Sequence, residues 1–133
     1  MDMIVGIGCD VVQQERVSQV LERHGDRLAQ KLLTESEMRL FEKRRQLSKE
    51  HALAYLATRW AAKEAISKAL GTGISGDVSF QSMSIMHNDK GAPVAVFNGE
   101  LKSRLQDEGI YVHISITDEK NVAAAFAVAE KRA

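Results

Sequence analysis

The chain has 133 residues with 18 basic and 18 acidic side chains, four histidines and a single cysteine, Cys9. This length suits one domain with a real hydrophobic core, and the balanced charge argues against a nucleic-acid binder held by global electrostatics. A lone cysteine excludes an intrachain disulfide and fits a reducing, cytoplasmic setting. No apolar run approaches the roughly 18 residues of a membrane span, and Met1-Asp2-Met3 is not a signal peptide. One soluble domain over residues 1–133, with no membrane or nucleic-acid partner, is the expectation.

Met3 to Val12 reads as a strand through Ile4, Val5, Ile7, Val11 and Val12, with Gly6, Gly8 and Asp10 set among them. The glycines predict close approach of another backbone or a ligand. Asp10 is out of place in a core strand; it is either a turn residue at the strand exit or a functional carboxylate. Cys9 reads as a small buried hydrophobe rather than a nucleophile.

Gln14 to His24 has Val17, Val20 and Leu21 at helical spacing and stops at Gly25. Asp26 to Leu33 continues helically. Thr34-x-x-Glu37 matches a capping box and starts a helix containing Met38, Leu40 and Phe41. That helix runs into Lys43-Arg44-Arg45, a basic run that serves either as a solvated face or as a surface for an acidic or phosphate-bearing partner.

A long helix capped near Ser48 follows and closes at Gly71-Thr72-Gly73, where Gly71 is placed to take a left-handed conformation. Leu53, Leu56, Ala57 and Trp60 form one stripe that Glu64 and Lys68 continue, and Ala61, Ala62, Ala65, Ile66 and Ala69 make the rear apolar. Such a helix packs on several sides. Glu64 and Lys68 are then either an ordinary i,i+4 ion pair or the lining of a cleft that binds a cation and an anion.

Phe80 to Met86 and Pro93 to Phe97 predict a hairpin about Asn88-Asp89-Lys90-Gly91. Glu100 to Glu108 predicts a short helix closed by Gly109. Tyr111 to Thr117 alternates as a strand, and Val122 to Ala129 is apolar enough to predict a fully buried one. The fold class is α+β, a mostly antiparallel sheet packed on the long helix.

Three separated segments now converge. Gly8-Cys9-Asp10 followed by Arg16, the run Arg59-Trp60-Ala61-Ala62-Lys63-Glu64-Ala65-x-x-Lys68-Ala69-x-Gly71-Thr72-Gly73, and His113-Ile114-Ser115-Ile116 resemble the signature segments of the bacterial holo-acyl-carrier-protein synthases. These are the small, single-domain 4'-phosphopantetheinyl transferases. The resemblance spans essentially the whole chain, including Phe80 and the Asn88-Asp89-x-Gly91-x-Pro93 turn. The chain departs from the pattern at Trp60, where Phe is usual, at Ala92, which removes a lysine, and at Asp118, where some relatives carry His.

The resemblance implies transfer of 4'-phosphopantetheine from coenzyme A to a serine of apo-acyl carrier protein in fatty acid biosynthesis, with adenosine 3',5'-bisphosphate as the other product. It implies Mg²⁺ held by Asp10 and Glu64, and a homotrimer with active sites between subunits. Catalysis is assigned to Asp10, Glu64 and Lys68, with Lys68 stabilising or protonating the leaving phosphate. The serine proton goes to Glu64, a metal-bound water or another nearby group. Contacts to coenzyme A are assigned to Arg59, Lys68, Gly71, Thr72 and His113, with Lys43-Arg44-Arg45 as a neighbour's share. Arg16, Arg23 and Arg27 are the expected docking surface for an acidic carrier. Two other readings compete: a broader transferase for peptide- or polyketide-synthase carriers, whose relatives are about twice as long, and a non-catalytic coenzyme A-binding module, which would not need both carboxylates.

Overall fold

The computed structural model describes Met1–Ala133. Apolar alternation yields two antiparallel sheets. The larger has three strands in the order β1 (Met3–Gln13), β5 (Val122–Lys131), β4 (Ile110–Glu119), and the smaller is the hairpin of β2 (Met83–His87) with β3 (Pro93–Phe97). Four helices lie between β1 and β2: α1 (Gln14–His24), α2 (Arg27–Leu32), α3 (Glu35–Leu47) and α4 (Lys49–Ala69). A fifth, α5 (Gly99–Glu108), joins β3 to β4.

Small residues on two facing surfaces place α4 against the three-stranded sheet. Ala61, Ala62, Ala65, Ile66 and Ala69 of α4 are buried, and so are Ala123, Ala125, Ala127 and Ala129 on the inner face of β5. On β1 the helix comes closer still. A Cβ on Gly6 would lie 1.7 Å from the Ala69 carbonyl oxygen, and one on Gly8 would lie 2.0 Å from that of Ala65. The approach predicted at these glycines is that of the α4 backbone.

Three expectations are corrected. Cys9, expected to be buried, is exposed, because it alternates onto the uncovered outer face of β1 opposite Phe126. β5 is buried on one face only, because no other element covers the outer face of its sheet, and Phe126 is 57% exposed there. The strand predicted from Phe80 begins at Met83, after a 3-10 turn over Phe80–Ser82. That turn is fixed by polar side chains: the Ser79 N–H donates to Ser82 Oγ at 2.9 Å, and the Gln81 amide donates to the carbonyls of Gln30 at 2.8 Å and Leu33 at 2.7 Å.

Local caps form as the sequence predicts. Ser48 Oγ accepts the His51 N–H at 3.1 Å and starts α4, while Glu37 Oε1 accepts the Thr34 N–H at 2.9 Å in the capping box of α3. Glu37 has a second partner that local sequence did not reveal. Its side chain and that of Lys63 are both fully buried, with Lys63 Nζ donating to Glu37 Oε1 at 2.5 Å. Lys63 also donates to the carbonyls of Leu32 and Phe80, and Glu37 Oε2 accepts the Ile85 N–H at 2.7 Å. Each ammonium proton thus has an acceptor, which offsets the cost of burying the charge. Burial holds the Lys63 ammonium below the usual lysine range, opposed by the Glu37 carboxylate.

The pair ties α2, α3, α4, the 3-10 turn and β2 together at one point. Removing one partner leaves the other as an uncompensated buried charge, which costs about 3–5 kcal/mol. Lys63→Met or Glu37→Leu alone is therefore expected to lower unfolding stability by about that amount, whereas the double replacement recovers most of it. Urea denaturation of the three variants measures the difference.

Candidate active site

Strand alternation puts Gly6, Gly8 and Asp10 on the β1 face turned toward α4. Because Gly8 lets the backbone of Ala65 approach, Asp10 arrives beside the last turns of the helix. Lys68 Nζ donates to Asp10 Oδ1 at 3.1 Å and to the Cys9 carbonyl at 3.0 Å. Asp10 is therefore not a strand-exit cap, since β1 continues to Gln13. The Asp10 hydrogen bond is the main cause that holds Lys68 above the usual lysine range.

Glu64 lies one helical turn before Lys68 yet does not pair with it. Its backbone carbonyl accepts Ser67 Oγ at 2.7 Å, while its half-buried carboxylate has no ion-pair or hydrogen-bond partner in the chain. Two carboxylates from different elements and one ammonium thus share an edge of α4. No group of three or more His, Cys, Asp or Glu gathers as a metal cage. A pair of carboxylates suits a hard cation that keeps several waters and takes substrate phosphate as its remaining ligands.

α4 closes in a left-handed turn at Gly71, with φ of 83°. The N–H groups of Gly71, Thr72 and Gly73 are already used, donating to the carbonyls of Lys68 and Ser67. The turn consequently offers a ligand close approach to backbone and not the free amide donors that its glycines suggest.

A second cationic site forms elsewhere on α4. Arg59 is 5% exposed, stacks 4.2 Å over the Tyr55 ring, and donates to Thr58 Oγ1 at 3.1 Å and to the Ile85 carbonyl at 3.2 Å. Arg59 Nε and the Tyr55 hydroxyl are buried without partners. Burial pushes the Tyr55 phenol up to about 12 and holds the Arg59 guanidinium below its ordinary value. Both residues line an open cavity of about 330 Å³ that also receives Arg44, His51, His87 and Asp118.

The basic run divides by position on its helix. Arg44 faces this cavity, Arg45 pairs with Asp26 and Glu42 at 3.2 Å each, and Lys43 is exposed. Helical spacing gives neighbours in sequence different faces, so the run is not a single patch.

His113 stands on the outer face of the sheet, bonded through Nε2 to Glu130 Oε1 at 3.0 Å, whereas Asp10 stands on the inner face. One chain therefore does not bring His113 to the Asp10–Lys68 pair. Of the three expected docking arginines, Arg16 stacks 5.3 Å over Trp60, one turn before Glu64. Arg27 borders a groove of about 350 Å³ lined by Val20, Leu28, Leu32, Trp60 and Phe80. Arg23 is exposed outside that lining.

The acid–base edge at Asp10, Glu64 and Lys68 and the cavity with Arg44 and Arg59 are thus two separate places whose cations suit anionic phosphate groups. Residues 6–127 match the family model of the 4'-phosphopantetheinyl transferase superfamily. The chain is 42% identical over 127 residues to the holo-acyl-carrier-protein synthase of Ralstonia nicotianae, covering 96% of this chain and 92% of that protein. It superposes on the crystal structure of the Neisseria meningitidis holo-acyl-carrier-protein synthase with a TM-score of 0.89 at 39% identity, covering 97% and 100% of the two chains. A Bacillus anthracis holo-acyl-carrier-protein synthase, solved in complex with CoA (3',5'-ADP), gives 0.81 at 33% identity over 98% and 99%. The chain belongs to the 4'-phosphopantetheinyl transferase superfamily, among the holo-acyl-carrier-protein synthases.

The glycine contact can be tested directly. Gly8→Ala is expected to cost about 3 kcal/mol, the upper end for overpacking, because the obstacle is helix backbone rather than a movable side chain. A calorimetric scan should show the loss; an unchanged melting temperature would contradict the packing.

Proposed function

We propose that the chain transfers the 4'-phosphopantetheine group of coenzyme A to a serine of apo-acyl carrier protein for fatty acid biosynthesis. The observation that carries the assignment is the Asp10–Lys68 contact beside a Glu64 carboxylate without a protein partner. A phosphoanhydride transfer needs cations to neutralise developing charge and a rigid frame to hold it in line, with little other help from the protein.

The serine oxygen forms a bond to the phosphorus that carries the pantetheine, the bond from that phosphorus to the bridging oxygen breaks, and adenosine 3',5'-bisphosphate leaves. The serine proton passes to Glu64 or another nearby group and is released to solvent, one H⁺ per transfer, which balances the step. Asp10 and Glu64 are the residues that would hold Mg²⁺, and the ion supplies charge neutralisation at the pyrophosphate. Lys68, kept protonated by Asp10, is a fixed cation for the departing phosphate rather than its acid. The Gly71-Thr72 turn gives the nucleotide a close backbone surface.

Coenzyme A also carries a phosphomonoester on its ribose. The pyrophosphate belongs at Lys68, so the separate cavity with Arg44 and Arg59 suits that second phosphate. His113 and Arg59 lie apart from Asp10 within one chain, so a site using all of them is completed by a neighbouring copy. The exposed Val5, Ile7, Val11 and Phe126 on the outer sheet face are suited to that contact, which supports the homotrimer reading. Arg16, Arg23 and Arg27 around the α1–α2 groove are the docking surface for an acidic carrier. One transferase domain over 1–133, acting in the reducing cytoplasm that a free, exposed Cys9 tolerates, completes the reading.

Incubation with coenzyme A, Mg²⁺ and apo-carrier protein, followed by intact mass, should show one phosphopantetheine added to the carrier. Glu64→Gln is expected to reduce the rate at least about a hundredfold, the scale of losing one transition-state electrostatic contact. The absence of an adduct with the native chain would reject the activity.

A further inference from the structure

His87 has no part in the transfer chemistry, although the hairpin delivers it to the rim of the Arg59 cavity. It is the last residue of β2, exposed, and it lines the same space as Arg44 and Arg59. The facing charged and titratable groups are Arg44 from α3, His51, Tyr55 and Arg59 from α4, and Asp118 from β4. Asp89 and Lys90 sit in the turn itself and do not line the cavity, and Ala92 carries no charge, so the hairpin gives this cavity one ionisable side chain. His51 is otherwise engaged, with Nδ1 2.5 Å from Ser48 Oγ at the start of α4.

Two guanidiniums, Arg44 and Arg59, line the cavity against one carboxylate, Asp118, which leaves it net cationic. Arg59 and Tyr55 are each at least nine-tenths buried, and each has a polar atom with no partner in the chain. Two fixed guanidiniums near an imidazole discourage its protonation while the cavity holds no anion. A dianion placed among the three groups reverses that preference, because it attracts the imidazolium more than the arginines repel it.

We propose that His87 is a proton-linked specificity residue of this cavity, taking up a proton when a phosphomonoester dianion enters and so favouring coenzyme A over its 3'-dephospho form. The proposal rests on the reading that the cavity receives the ribose phosphomonoester.

The direction of the effect follows from the free state. Partial burial first, then Arg59 and Arg44, hold the His87 imidazolium below the ordinary histidine range. Binding raises the value, so protons are absorbed on binding and affinity climbs as pH falls from the bound value toward the free one. Above the bound value the imidazole is neutral with or without ligand, and the linkage vanishes. The phosphomonoester protonates near pH 6, which limits the gain at the acid end.

The test uses the full-length chain with Mg²⁺ and no carrier, so that binding proceeds without turnover. Histidine ring resonances, assigned with His87→Gln, are titrated alone, with coenzyme A and with 3'-dephospho-coenzyme A. Coenzyme A should raise the His87 midpoint by about one pH unit or more, the shift produced by an opposite charge within ~4–6 Å, and the dephospho form should not. His87→Gln should reduce the preference for coenzyme A about two- to fivefold near pH 6.5, and much less near pH 8.5. If coenzyme A is still preferred but the His87 midpoint does not move, the role of His87 is overturned and the cavity assignment stands. If the two ligands bind equally well to the native chain, the cavity does not read the phosphomonoester, and the assignment beneath the proposal falls with it.

Discussion

The separation between α4 and β1 governs this molecule. Gly6 and Gly8 carry no side chain on the strand face where the carbonyls of Ala69 and Ala65 arrive. A strand with ordinary residues there would keep the helix at side-chain distance. Asp10, two residues beyond Gly8 on the same face, would then lose its contact with Lys68. The geometry of the candidate site is thus a consequence of backbone packing, and the charged residues occupy positions that the glycines make available.

The charges on α4 divide by the surroundings that packing gives them. Lys63 is sealed among Glu37 and two carbonyls, so it can neither titrate freely nor meet a ligand. Glu64, the next residue, is rotated to the open edge and keeps an unpartnered carboxylate. Arg59 is buried but lacks a partner at Nε and borders a cavity. Three ionisable residues within two helical turns therefore have three different surroundings: Lys63 joins elements, and Glu64 and Arg59 are the residues proposed as metal ligand and anion-site frame. A helix apolar around most of its circumference confines its charges to such sites, because each must be satisfied or functional.

Features set by local periodicity were legible from sequence. The two caps, the long helix, the hairpin turn and the unusual standing of Asp10 each depend on a few neighbouring residues. What escaped depends on distance. Glu37 already had a capping role, and nothing near it pointed to Lys63, 26 residues away. The clustered arginines at 43–45 look like one patch until helical rotation sends Arg44 to the cavity and Arg45 to Asp26. β5 reads as fully buried because its residues are small and apolar, but burial depends on what covers a face, and the outer face here carries exposed Phe126. That same uncovered face carries His113, which is why it does not meet Asp10 inside one chain, while Arg59 is held apart by its place in a different cavity beside β2.

The central claim is that Asp10 and Glu64, which share no element, act as one metal site. Titration with Mn²⁺ in place of Mg²⁺, read by electron paramagnetic resonance with coenzyme A present, tests it most directly. The account predicts specific binding by the native chain that is weakened at least about tenfold, roughly 1.4 kcal/mol, in both Asp10→Asn and Glu64→Gln. Native affinity in both variants would contradict it.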